Sequence, residues 1–119
     1  ILEKTKAAYL VWYDYYLFLP KTHRHSLGLR IDSLFVEIME AISTASFLEP
    51  AKKLPYVVLA IKKTDVLKIL LMILWETKSL DTKKYIAISL PLAEAGKQLG
   101  GWHGQIVKQN SPDKKSGEK

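Results

Sequence analysis

No cysteine occurs in the 119 residues, which excludes a disulfide framework, a thiolate nucleophile and any zinc site that needs cysteine ligands. Long apolar runs are missing too. The best, "ILLMILW" at residues 69–75, falls well short of the roughly 18 residues that a transmembrane helix requires. The first residues lack the layout of a secretory signal, so a cytoplasmic protein with no membrane partner is expected. Neither a Gly-x-Gly-x-x-Gly loop nor a Gly-x-x-x-x-Gly-Lys-Ser/Thr loop is present, and Ser26, Ser33, Ser43 and Ser46 have no histidine and acid in a recognisable nucleophile arrangement. Neither an enzyme nor a cofactor is expected. Histidines number only three. Two of them, His23 and His25, would diverge by about 200° on a helix. Glu37 and Glu40 lack the Glu-x-x-His partners of di-metal carboxylate bundles, so no metal site is expected.

What is present is apolar and basic. Apolar residues make up 48% of a chain whose length suits one domain, enough for one core. Eighteen lysines and arginines stand against twelve acids, giving a net charge of +6 and a pI near 9.5. Such a balance favours an acidic partner such as nucleic acid, or simply keeps the surface soluble.

Apolar spacing predicts four helices. In the first, over Leu2 to Leu19, Ala8, Val11, Trp12, Tyr15 and Leu19 recur at three and four residues. Its other side carries Tyr9, Leu10, Tyr13, Tyr16, Leu17 and Phe18, more apolar surface than one four-helix core covers, which points to self-association. Pro20 ends that helix. The second is expected as one element from Thr22 to Leu48, with Leu27, Ile31, Leu34, Phe35, Ile38, Ile42 and Ala45 along one face and Gly28 giving close packing. Pro50 and Pro55 are expected in a connection. A third helix follows to about Lys78, with Val58, Ile61, Leu67, Leu70, Leu71 and Leu74 facing inward. Ser79 or Asp81 is expected to cap the fourth, whose stripe is Tyr85, Ile88, Leu92, Ala95, Leu99, Trp102 and Ile106. The expected fold is all-α, an up-and-down antiparallel four-helix bundle over residues 1–108. Residues 109–119, with no apolar side chain, read as a disordered tail.

The candidate binding residues are basic. "LPKTHRHSLGLRID" at 19–32 places Lys21, His23, Arg24, His25 and Arg30 near a helix start, an end whose free amides hold anions. Arg30 lies near the apolar stripe, where Asp14 or Glu94 is a candidate partner. The pairs Lys52 with Lys53, Lys62 with Lys63 and Lys83 with Lys84 offer charges to phosphates, or solubilise a helical surface. In "EAGKQLGGWHG" at 94–104, Gly96, Gly100 and Gly101 are expected to admit a neighbouring helix or to bend the last turns, while Trp102 docks on the core. An exposed Trp102 would instead stack on a base.

Three stretches, "LPKTHRHSLGLRID", "LKILLMILWETKSLDTKKYIAIS" and "LAEAGKQLGGWHG", together resemble the Avd family, the accessory variability determinants of diversity-generating retroelements. The resemblance covers about residues 7–106. Its more specific parts are Pro-Lys-x-x-Arg-x-x-Leu-Gly, matched by Pro20, Lys21, Arg24, Leu27 and Gly28, and Leu-Gly-Gly-Trp, matched by Leu99, Gly100, Gly101 and Trp102. Lys97 and the pair His103 and Gly104 depart from the family pattern. Four-helix proteins encoded in intervening sequences of bacterial ribosomal RNA genes share the architecture and part of the first block. The resemblance implies a homopentameric barrel of four-helix bundles that is not catalytic. It also implies partners: RNA and DNA, and the retroelement reverse transcriptase, in support of mutagenic cDNA synthesis and retrohoming. Lys21 and Arg24 then become contact candidates, with Gly100, Gly101 and Trp102 structural. Three classes compete: a reverse-transcriptase accessory, a ribosomal-RNA-associated bundle and a purely structural oligomer.

Overall fold

The computed structural model describes residues 1–111, all of whose regular structure is helical. Four long helices, α1 (Leu2–Tyr16), α3 (Leu27–Ser46), α4 (Pro50–Glu76) and α5 (Thr82–Asn110), are accompanied by one short helix, α2 (Lys21–Arg24). Around the bundle the order is α1, α3, α4, α5, with α5 closing back on α1. Cross-links between helices set their directions. Lys4 pairs with Glu94 at 2.8 Å, while Tyr15, at the other end of α1, donates to the Ser79 carbonyl just before α5. The Asn110 amide, at the end of α5, donates to the carbonyl of Pro50, at the start of α4. Neighbours therefore run antiparallel.

The buried stripes are close to those the spacing predicts. Ala8, Trp12 and Leu19 meet Ile31, Leu34, Phe35, Ile38, Ile42 and Ala45, and α5 adds Ile88, Leu92, Ala95, Leu99 and Ile106. Each fully buried leucine, isoleucine or phenylalanine contributes about 1.5–3 kcal/mol. Trp12 stacks near Phe35 and donates its indole N–H to Asp32 at 3.3 Å, so its one polar atom is satisfied. In α4 the inward residues are Val57, Ala60, Thr64, Leu67, Leu71 and Leu74, with Val58 and Ile61 half-buried beside them. Buried Thr64 returns its hydroxyl to the Ala60 carbonyl at 2.7 Å.

Three boundaries differ from the sequence reading. The expected single helix from Thr22 to Leu48 is divided at His25 and Ser26, because side chains occupy the carbonyls that would carry it through. The Ser26 hydroxyl takes the Thr22 carbonyl at 3.0 Å, and the Tyr16 hydroxyl takes the Arg24 carbonyl at 3.2 Å. Pro50 and Pro55 do not form a connection. Pro50 opens α4, where its missing N–H is no loss, and Pro55 sits early inside the helix, where Leu54 and Val57 on the core hold its turn. The third is at the end, where α5 reaches Asn110 and so includes the first two residues of the expected tail. Residues 112–119 of that tail lie outside the described residues. Asp81, of the two candidates, caps α5 by accepting from the Lys84 amide at 2.8 Å.

Gly28 packs as its position suggests. A Cβ there would meet the His23 carbonyl at 2.9 Å, with Tyr16 and Leu19 at 3.1 and 3.2 Å. A Cβ at Gly96 would meet the Lys68 ammonium of α4 at 3.0 Å, whereas at Gly100 and Gly101 no helix of the same protomer approaches, for a Cβ would meet nothing within 4 Å.

Candidate nucleic-acid interface

Antiparallel packing brings the link between α1 and α3 to the same end as the turn between α4 and α5. That turn is tight. Lys78 takes the left-handed conformation (φ 66°), its N–H returns to the Trp75 carbonyl and the Ser79 N–H returns to the Leu74 carbonyl. This is the reverse-turn closure that usually employs glycine. Ser79 is buried, and its hydroxyl lies 2.6 Å from Nδ1 of His23, tying α2 to the turn. Tyr15 reaches the Ser79 carbonyl from α1, so three elements converge on one residue.

The cations of the first basic block divide by role. Lys21 and His25 are exposed, whereas His23 and Arg24 turn inward. Arg24 Nη2 donates to the Leu19 carbonyl at 3.1 Å, and its Nε is buried without a hydrogen-bond partner. The short helix uses its own amides, His23 and Arg24 both donating to the Pro20 carbonyl. These bonds close the first turn of α2 and leave the amides of Lys21 and Thr22 outside the backbone hydrogen bonds of the helix.

Lys83 and Lys84 open α5 beside this block, and Lys78 joins them. The Lys84 ammonium lies 5.9 Å from the centre of the Tyr15 ring. Among the described residues no carboxylate pairs with Lys21, Lys78 or Lys83. Of the acids at this end, Asp81 is spent on its cap, while Glu76 lines the same hollow as Trp75 and Lys78. Trp75 stacks on Tyr85 with ring centres 4.8 Å apart and planes within 5°, and its indole N–H is fixed by the Thr82 hydroxyl at 3.0 Å. Phe18 is 75% exposed and touches Tyr15 at 6.4 Å.

Other candidates lie elsewhere. Arg30 is exposed on α3 and reaches Ser33 and Glu37, not Asp14 or Glu94. Lys63 holds the same Glu37 at 2.8 Å and lowers its pKa, while Lys62 is exposed midway along α4. At the opposite end Lys53 donates to the Ala45 carbonyl and lies over Trp102, which is half-buried against the core. Lys52 is exposed there. Among the described residues no group of three histidine or carboxylate side chains could hold a metal ion, and no helix is long and apolar enough to cross a membrane. Sequence reasoning missed Lys78, Trp75, Tyr85 and Phe18 as members of this end. The "ETKSLD" turn marks the place in the chain, but only the fold joins it to α2.

The architecture defines a helical bundle whose α1–α2 link and α4–α5 turn meet at an end that carries both basic and aromatic side chains. No family model, curated protein or solved structure matches the chain.

Proposed function

We propose that the chain is a non-catalytic accessory protein that binds RNA or DNA and a reverse transcriptase, in the manner of the Avd proteins it resembles, and that it supports mutagenic cDNA synthesis and retrohoming. One observation carries the nucleic-acid part. Lys21, His25, Lys78, Lys83 and Lys84 come from separate parts of the chain to one end of the bundle, with three of the lysines held by no carboxylate among the described residues. Such charges bind phosphates without reading sequence and make affinity fall steeply with salt.

Self-association belongs to the same reading. On α5 the residues Ile86, Leu90, Ala93, Lys97, Gly100, Gly104 and Val107 recur at four and three, the spacing of a helix-pairing seam. Ile86 and Leu90 are 47% and 64% exposed, and the space above Gly100 and Gly104 is open. On α4, Leu59, Val66, Ile69 and Met72 are exposed as well. These faces support a homo-oligomer, with a pentamer as the form the resemblance implies. They also favour a second reading, a purely structural oligomer.

Purified protein titrated into labelled RNA, single-stranded DNA and duplex at low salt separates the two readings. Salt-sensitive binding is expected, together with retention of a retroelement reverse transcriptase in a pull-down. Absence of binding to every nucleic acid would leave the structural oligomer.

A further inference from the structure

The lysines of the basic end would serve duplex and single strand alike, but the aromatic side chains among them would not. Paired bases are stacked inside a helix and offer no face to a protein ring, whereas unpaired bases stack on exposed aromatics in a sequence-tolerant way. Phe18, just beyond the end of α1, is 75% exposed, so its ring is free to receive a base. The Tyr15 ring beneath it is approached by Phe18 at 6.4 Å and by the Lys84 ammonium at 5.9 Å. An apolar ring and a phosphate-seeking charge thus share one support. Trp75, in the last turn of α4, is a second ring at this end. Tyr85 covers one face of its indole, Thr82 fixes the ring through a 3.0 Å hydrogen bond, and 37% of the residue remains exposed beside Lys78 and a hollow of about 510 Å³. A ring held in place before binding loses little entropy when a base lands on it.

We infer that this end of the bundle takes an unpaired nucleic-acid strand, stacking bases on Phe18 and Trp75 while Lys21, Lys78, Lys83 and Lys84 follow the phosphates. The inference rests on the nucleic-acid reading above and narrows it to a ligand class. Charge complementarity selects a polyanion over an apolar protein surface: Lys84 shares the Tyr15 ring with Phe18, and Lys78 lines the hollow beside Trp75, where Asp81 is engaged as the cap of α5 and Glu76 is the remaining acid.

The test compares short labelled oligo(dT) and oligo(rU) with a duplex of equal length by fluorescence anisotropy over a series of salt concentrations. Single strands are expected to bind more tightly than duplex. Phe18→Ala and Trp75→Leu should each weaken single-strand binding by roughly 5- to 100-fold with the salt slope unchanged, and Trp75→Phe should retain most of it. Duplex affinity should not move. Phe18 is so exposed that its truncation leaves the fold intact, which keeps the test valid if Trp75→Leu destabilises. Equal affinity for duplex and single strand, or equal losses on both, would overturn the inference and leave the nucleic-acid reading standing. A changed assembly mass in Phe18→Ala would overturn it in favour of an interface between copies. No binding of any probe by the unaltered protein would overturn the nucleic-acid reading itself.

Discussion

Lys78 occupies a conformation that costs a non-glycine residue roughly 1–2 kcal/mol, at the point where α4 must stop and the chain must reverse. Here the returning N–H groups of Lys78 and Ser79 hold it in place, and the proposed phosphate contact gives the side chain a use. Lys78→Gly should therefore raise stability by about 1 kcal/mol in urea denaturation and at the same time weaken nucleic-acid binding. A gain in stability with unchanged affinity would mean the lysine does not serve binding. Tyr9 offers a second single-residue test, on stability alone. Burial, and after it the nearby Asp32 carboxylate, push its phenol up to about 12. The folded state thus prefers the neutral form more than the unfolded chain does. Its contribution is complete below the ordinary tyrosine pKa of about 10 and is lost as pH rises toward 12. In Tyr9→Phe the decline of the urea midpoint across that window should be shallower than in the unaltered protein.

At the level of elements, α2 is a strap whose residues do two different jobs. Arg24 holds the α1–α2 link through the Leu19 carbonyl, and Lys21 touches no carboxylate among the described residues. Arg24→Ala should cost about 1–2 kcal/mol, in the range of hydrogen bonds from charged groups, whereas Lys21→Glu should leave stability within about 0.5 kcal/mol. Binding should respond in the opposite sense, with Lys21→Glu weakening affinity and lowering the salt slope by about one. Thermal melts and salt-dependent titrations of both variants check the division. That division was not legible in the sequence, where Lys21 and Arg24 stand as equals in one basic block. It depends on Tyr16 and Leu19 folding back from α1, contacts that local patterning does not encode. The stripe of α3, by contrast, was readable because Arg30, Ser33, Glu37 and Glu40 interrupt its outer side, Leu29 and Val36 notwithstanding: Ile31, Leu34, Phe35, Ile38, Ile42 and Ala45 all lie inside. On α4 the apolar residues nearly encircle the helix, so periodicity left its phase open by one residue, and Val57 and Ala60 face inward where Val58 and Ile61 were expected. The break between α2 and α3 escaped in part for the same reason as Arg24, since one of the two hydroxyls that make it comes from another helix.

For the whole molecule, the proposed seam on α5 and the proposed strand-binding end have linked consequences. If copies pair along Ile86, Leu90, Gly100 and Gly104, the basic end is repeated around the assembly and several weak phosphate contacts act on one strand, raising avidity by about 10²–10⁴. Light scattering of the purified chain should then give a mass several times that of the 13.5 kDa protomer. Leu90→Lys places a charge on a 64% exposed position, so it should reduce the mass to that of one protomer while leaving helicity and melting largely unchanged. Gly100→Ala sharpens the test. In a lone protomer the added methyl meets nothing within 4 Å and should stabilise the helix by about 0.5–1 kcal/mol, whereas a helix packed over that position would be displaced and the mass would fall. Long oligonucleotides that span several ends should lose affinity in Leu90→Lys, and short ones that occupy one end should not. A protomer mass for the unaltered protein would remove the seam and its avidity, and the four lysines of a single end would then have to account for all binding.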